Sequence, residues 1–493
     1  MAADLQKQYG LYINGEWVDA SDGATFKAVN PATGEQLAVC AEATKEDVDA
    51  AVKAAKAAFK TWKDVSPIER QKYLLKIADI IDENMEHLAL VETMDNGKPI
   101  RETTTLDIPF AADHFRYFAG AIRQRQEAPR CWTIIPESDS PRTSRRGRTD
   151  CPMEFPVPHG CMELAPALAA GDTIVLKPSS HTSLSVLELF RLIGDVLPKG
   201  VVNVITGAGS KSGQYILDHP GFNKLAFTGS TEVGRGVYQA ACDKLIPATL
   251  ELGGKSANIF FDDCEWDKAI EGAQLGILFN QGQVCCAGSR VFVQEGIYDK
   301  FVETLGKMFD KVKVGDPTDP STQMGALIYK SQMDKVLKYV ELGQQEGYKL
   351  IAGGKRYTDN GCDKGFFVRP TILAGGKNDA RVAQEEIFGP VVVIQKFKTE
   401  DEVIALANDS EYGLGGGVFS QDINKALRVA RGIETGRMWI NTYNDIPADA
   451  PFGGYKLSGI GRETHKMILD HYTQVKNIII NLKDGVKGLY PIR

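Results

Sequence analysis

Apolar and polar positions along this chain recur with periods that identify its elements. Leu11-Tyr12-Ile13 and Glu16-Trp17-Val18 flank Asn14-Gly15, and an Asn-Gly pair between apolar runs predicts a two-residue hairpin. Thr44, followed three residues later by Asp47, predicts a capping box. The helix behind it would present Val48, Val52, Ala55 and Phe59 on one face. Helical periodicity continues from Ile68 to about Asp95. From Thr173 to Phe261 the texture alternates. Residues 173–176, 201–205 and 225–227 read as buried strands, and 183–197, 210–217 and 231–242 as helices. Repeated βαβ units imply a parallel sheet with helices on both faces. A second α/β texture runs from Gly276 to about Trp439, with helices near 297–313, 330–346 and 400–408.

Composition narrows the class. A chain of 493 residues exceeds what one hydrophobic core supports, so two or more domains are expected. A hydrophobic share of 43% and a charged share of 25% are ordinary for a soluble globular protein. The net charge of −7 opposes nucleic-acid binding. Nine scattered cysteines without CxxC spacing suit a reducing compartment and argue against a zinc site, so no metal is expected. The N-terminus is polar, with Asp4 early, and nothing approaches the roughly 20 apolar residues of a membrane span. A cytoplasmic protein without a membrane or nucleic-acid partner is expected.

Residues 124–163 break the pattern. They hold six of the 22 prolines and three of the nine cysteines, and no lysine. One reading is a long exposed loop. The other is a slip of reading frame that reverts by Leu164. Codons can be chosen for 141–153 that, read one nucleotide later, give Arg-Glu-Pro-Leu-Gly-Val-Val-Gly-Gln-Ile-Val-Pro-Trp. The same shift through 154–163 gives Asn-Phe-Pro-Phe-Leu-Met-Ala-Ala-Trp-Lys. The shifted text has a buried strand where the written text has Arg145-Arg146-Gly147-Arg148-Thr149-Asp150-Cys151.

The candidate chemistry lies in two glycine-bearing motifs. Cys285 sits in Phe279-Asn280-Gln281-Gly282-Gln283-Val284-Cys285-Cys286-Ala287-Gly288-Ser289-Arg290, and Glu251 in Leu250-Glu251-Leu252-Gly253-Gly254-Lys255. An isolated cysteine is more often a small core residue. A thiol paired with a candidate base is what acyl chemistry through a covalent intermediate requires. A thiol with a pKa near about 8.5 needs a local field or a base to attack at neutral pH. A carboxylate flanked by leucines is partly desolvated, which raises its pKa toward the range of a general base. Phe227-Thr228-Gly229-Ser230 leads from a strand into a helix, whose spare N–H groups make an anion site. Gly207-Ala208-Gly209 alone marks no more than a turn.

Together these motifs resemble the aldehyde dehydrogenase superfamily, over residues 10–122 and 164–490. Asp95-Asn96-Gly97-Lys98-Pro99 and His465-Lys466-Met467 look most like bacterial enzymes acting on short aliphatic aldehydes such as acetaldehyde. The resemblance implies an α/β fold: a Rossmann-like cofactor domain (1–123 and 146–252), a second α/β catalytic domain (253–452), and a small oligomerisation arm (124–145 and 472–493). Residues 453–471 would return to the cofactor domain and the active-site rim. It implies oxidation of a small-molecule aldehyde to a carboxylate with NAD or NADP, in a homodimer or homotetramer. Cys285 would be the nucleophile and Glu251 would activate the hydrolytic water. Glu463, in Pro451-Phe452-Gly453-Gly454-Tyr455-Lys456, continued to Gly461-Arg462-Glu463, would aid proton traffic, and Phe452 would line the substrate tunnel. Lys177, Ser179 and Ser180 would contact the adenosine ribose. Gly209, Phe227, Gly229, Ser230 and Leu252 would shape the cofactor cleft. Glu386 and Phe388 would hold the nicotinamide ribose. Serine at 180, where many NAD-preferring relatives carry glutamate, leaves room for NADP. The family's oxyanion-holding asparagine falls at Glu154, and losing such a donor costs about 10²–10³ in rate. Two alternatives stay open: a catalytically impaired protein that keeps the fold for binding, and a CoA-acylating relative.

Overall fold

In the computed structural model the described residues are 4–124, 137–142, 146–151, 156–479 and 490. Two twisted sheets organise the chain. The first has eight strands in the order Gly459–Ile460, Ala248–Glu251, Lys224–Thr228, Arg146–Cys151, Thr173–Pro178, Val202–Val204, Leu11–Ile13 and Glu16–Val18. Its five middle strands run parallel, and antiparallel strands close both edges. The second has seven strands in the order Lys349–Ala352, Thr371–Ala374, Val391–Phe397, Arg290–Gln294, Ala257–Phe260, Gly415–Phe419 and Arg437–Ile440. It is parallel except at the Lys349–Ala352 edge.

Local signals act as their chemistry requires. Asn14 and Gly15 take φ of 54° and 77°, the two positive values of the hairpin turn. The Thr44 side chain accepts from the Asp47 N–H while Asp47 accepts from the Thr44 N–H, which caps the helix Lys45–Trp62. That helix buries Val48, Val52 and Ala55 on one face of the first sheet, beside Ile216, Phe227 and Val237. Phe115, Phe118, Leu164, Leu187 and Phe190 cover the other face. The expected helix 68–95 is two helices, Pro67–Glu83 and Met85–Asn96, separated at Asn84. The helix expected at 210–217 opens as a π turn, Gly209–Gly213, before Gln214–Asp218. Among the described residues no helix is long and apolar enough to cross a membrane.

The segment that departs in composition is not a free loop throughout. Arg146–Cys151 lies in the middle of the first sheet, paired in parallel with Thr173–Pro178 on one side and Lys224–Thr228 on the other. Both neighbours are buried at every position. Strands buried on two faces are rich in Val, Ile and Leu, and a sequence with two arginines and an aspartate is foreign to that place. Glu137–Arg142 pairs antiparallel with Gln474–Ile479, so the described parts of the expected arm form a two-stranded ribbon. Residues 480–489 and 491–493 of the expected arm lie outside the described residues. Replacing residues 141–163 by the shifted-frame text should raise the melting temperature and the soluble yield. Equal melting temperatures for the two proteins, confirmed by intact mass, would remove the frame-slip reading.

Candidate active site

The site forms where the chain crosses from one sheet to the other. Glu251 ends a strand of the first sheet, and Ala257 begins a strand of the second. Between them, Gly254 lies against the Cys285 backbone, so that any Cβ at 254 would overlap the Cys285 carbonyl. A Cβ at Gly253 would stand 2.6 Å from a carboxylate oxygen of Glu386. The glycine pair is therefore required by the Cys285 loop and by Glu386, in addition to any approach of a cofactor.

Cys285 follows the helix Trp266–Leu278 and a tight turn, Phe279–Gly282. Asn280 and Gln281 take left-handed φ of 46° and 56°. Such strain persists where the surroundings over-determine it. Here the Asn280 N–H donates to Glu102 at 3.0 Å and its side-chain amide to the Gln283 carbonyl at 2.9 Å. Gln281 donates to the Ala326 carbonyl and accepts from the Gly325 N–H, both at 3.2 Å. Gln283 accepts from the Ile328 N–H at 3.1 Å. Burial pushes the Glu102 carboxyl up to about 8. Arg290, five residues beyond the nucleophile, donates to the carbonyls of Lys255, Leu406, Ala407 and Asp409 and so braces the second sheet. Cys286 is fully buried, and its carbonyl accepts from the Tyr443 hydroxyl at 2.9 Å.

Three cavities meet at Cys285. The first is an open cleft of about 680 Å³. Lys177, Ser179, Ser180, Gly209, Phe227, Gly229, Ser230, Leu252, Glu386 and Phe388, the ten residues expected to contact a cofactor, all line it, together with Cys285. A Cβ at Gly209 or Gly236 would meet nothing within 4 Å, so both glycines face open space in the cleft wall. The helix Thr231–Asp243 starts in this cleft, capped by the Ser230 hydroxyl, which accepts from the Val233 N–H. Gln332 and Lys335, on the helix Lys330–Gln345, also line the cleft and carried no sequence motif. Gln332 donates to the carbonyls of Ile387 and Phe388, and Phe388 itself takes a left-handed φ of 61°. A dinucleotide fits this lining, with open glycines, a helix N-terminus for a phosphate and polar groups at both ends.

The second cavity, of about 370 Å³, is lined by Phe110, Met162, Phe279, Ile446, Phe452 and Cys285, among others. The π turn Thr103–Asp107 brings Leu106 and Asp107 into its wall. The Asp107 carboxylate is held by the buried Lys98 ammonium at 2.6 Å. The third cavity, of about 10 Å³, is lined by Met162, Glu163, Thr228, Glu251, Cys285, Phe452 and Glu463. That is room for about one water molecule. One carboxylate oxygen each of Glu251 and Glu463 is buried without a hydrogen-bond partner. Burial, and then the neighbouring Glu463, hold the Glu251 carboxyl well above the usual carboxylate range. Burial raises Glu463 to about 7, against the pull of the Lys224 ammonium. Glu154, the expected oxyanion position, lies outside the described residues. Among the described residues no group of three or more His, Cys, Asp and Glu could hold a metal ion.

A cysteine between a nucleotide-sized cleft and an apolar tunnel, on this pair of sheets, defines a class. The sequence model of the aldehyde dehydrogenase family matches residues 17–478, and the chain belongs to that family. Aldehyde dehydrogenase B of Escherichia coli K12 is 46% identical over 500 aligned positions, covering 99% of this chain and 96% of that protein. The NAD+ complex of aldehyde dehydrogenase from Bacillus cereus is 42% identical, with a TM-score of 0.92 and 97% of each chain covered. Betaine aldehyde dehydrogenase from Staphylococcus aureus, in complex with NAD+, is 38% identical with a TM-score of 0.95, covering 99% of this chain and 97% of that one.

The paired carboxylates generate a pH prediction. Glu251 must be ionised to act as a base, so turnover should fall as pH drops through its raised pKa. Glu463→Gln removes the like charge beside it and should move that acidic limb of kcat to lower pH. A limb that stays in place would show that Glu251 is not the group titrating.

Proposed function

We propose that the chain oxidises a short aliphatic aldehyde, acetaldehyde being the simplest, to the carboxylate with NAD or NADP. The supporting observation is the position of Cys285 on a wall shared by the nucleotide-sized cleft, the apolar tunnel and the water-sized cavity that holds Glu251. The modest tunnel and its aromatic walls favour a small apolar substrate. The cofactor, when bound, supplies the hydride acceptor.

Each step then has a residue. The Cys285 thiolate adds to the carbonyl carbon, forming the C–S bond of a thiohemiacetal. As the carbonyl is restored, the C–H bond breaks and its electron pair leaves as hydride, which yields a thioester. Glu251 takes a proton from the water in the small cavity. The resulting hydroxide adds to the thioester, the C–S bond breaks, and the thiolate returns with release of the acid. Glu463 shares the proton load with Glu251. Lys177, Ser179 and Ser180 bind the adenosine ribose, and serine at 180 tolerates a 2′-phosphate. Glu386 accepts from the nicotinamide ribose hydroxyls, and Phe388 packs beside the ring. Residues 1–123 and 146–252 form the cofactor domain and 253–452 the catalytic domain. The arm of residues 124–145 and 472–493 joins a homodimer or homotetramer in the cytoplasm.

Cys285→Ala should abolish aldehyde oxidation and leave NAD+ affinity within about threefold, because the thiol makes the covalent bond and contributes little to nucleotide binding. Turnover retained in that variant would end the mechanism. Glu251→Gln should slow thioester hydrolysis more than its formation, so a burst of NAD(P)H survives while steady turnover falls. If the burst and the steady rate fell together in rapid-mixing kinetics, Glu251 would be acting on Cys285 instead.

A further inference from the structure

Lys98 is a buried cation that the chemistry above leaves unused. It is fully enclosed and lines none of the three cavities at Cys285. Its ammonium donates to the Asp107 carboxylate at 2.6 Å and to the Glu92 carboxylate at 3.3 Å. Buried ion pairs add little stability over apolar groups of the same size, and their best-attested use is to fix one arrangement over others.

The arrangement fixed here is that of two tunnel walls. Asp107 ends the π turn Thr103–Asp107, and Thr105, Leu106 and Asp107 of that turn line the tunnel. Such turns are rare and recur at functional sites. This one is pinned at both ends: the Thr103 hydroxyl bonds the Thr93 hydroxyl at 2.9 Å, and Asp107 bonds Lys98. The second wall is the helix Pro156–Ala170, whose Pro158 and Met162 line the tunnel. Near the start of that helix the Val157 N–H donates at 3.3 Å to the Glu92 carboxylate oxygen that Lys98 does not hold. The backbone around Lys98 is itself anchored. The Gly97 carbonyl accepts from the Ala326 N–H at 3.0 Å, and the Ile100 N–H donates to the Pro317 carbonyl at 2.8 Å. Gln281, in the turn before Cys285, donates to the Ala326 carbonyl, so the cation and the thiol's loop are tied to the same residue.

We propose that Lys98 is a positioning residue for substrate choice: its ammonium, bridging Asp107 and Glu92, fixes the spacing of two tunnel walls and so the breadth of aldehyde that reaches Cys285. The proposal rests on the tunnel being the path of the aldehyde, as given above. Without the ammonium, two carboxylates face each other with no cation between them, and the walls that they hold move apart. A wider tunnel grips a short aldehyde less firmly and admits a branched one.

The test is kcat/KM of the full chain for acetaldehyde and for isobutyraldehyde, beside calorimetric titration with NAD+. Lys98→Met should shift the isobutyraldehyde-to-acetaldehyde ratio about tenfold toward the branched substrate, the lower end of what one misfit methylene is worth in an apolar pocket, and leave NAD+ affinity within about twofold. That variant strands two carboxylates, so Glu92→Leu is measured with it. There Lys98 stays paired with Asp107, the tie to Val157 is cut, and the ratio should move the same way by a smaller factor. A parent ratio in folded Lys98→Met, or in Glu92→Leu where Lys98→Met yields no folded protein, overturns the role of Lys98. An equal fall for both aldehydes does the same, since it marks a merely structural residue. Ile446→Ala, which alters the tunnel wall directly, separates the two readings. A parent ratio in that variant means that the aldehyde does not use the tunnel, and the substrate path fails. A shifted ratio there, beside parent ratios in the Lys98 and Glu92 variants, overturns the role of Lys98 alone.

Discussion

The contact between Gly254 and the Cys285 carbonyl is the constraint on which the site depends. Two sheets that fold around separate cores meet here at backbone distance, with no side chain between them. Glu251 at the end of one strand and Cys285 before another can then share one cavity. A methyl group at 254 would push the Cys285 loop away and open the small cavity to solvent. Glu251 would lose the desolvation that holds its carboxyl above the usual range. The strained turn at Asn280 and Gln281 belongs to the same arrangement. Its hydrogen bonds to Glu102, Ala326 and Gly325 fix the loop from the side away from Gly254.

Electrostatics in this region follow from burial more than from pairing. Glu251, Glu463, Glu386 and Glu102 all have their carboxyls raised, and burial is the largest cause in each case. The exposed ion pairs, such as Lys72 with Glu69 and Lys307 with Glu303, add little, because such pairs contribute about 0–1 kcal/mol. The exception is the Lys98–Asp107 pair, fully enclosed beside the tunnel. Lys98 also pairs with the buried Glu92 at 3.3 Å, so removing Lys98 would leave buried carboxylates unpaired, which costs about 3–5 kcal/mol.

Much of this was legible in the sequence where a local rule acts alone. Asn14-Gly15 specified its turn, Thr44 and Asp47 specified a helix start, and the alternation from Thr173 onward specified a parallel sheet. The residues of the cofactor cleft were legible mostly through the family resemblance; Phe227-Thr228-Gly229-Ser230, at a strand end before a helix, also carried a backbone signature of its own. Gln332 and Lys335 were not, because they lie in the first two turns of an ordinary amphipathic helix and reach the cleft only through tertiary packing. The tunnel wall was equally hidden. The helix Ile108–Gln124 was not anticipated, and the helix Pro156–Ala170 contains Pro166 and begins inside the segment of foreign composition. The π turn that brings Leu106 and Asp107 into the tunnel has no sequence marker.

The three-cavity arrangement at Cys285 also sets the traffic through the molecule. The cleft and the tunnel approach the thiol from different residues and share Cys285 as common wall. A small molecule leaving Cys285 through the tunnel does not cross the larger cleft. Occupancy of the tunnel and occupancy of the cleft can therefore change separately.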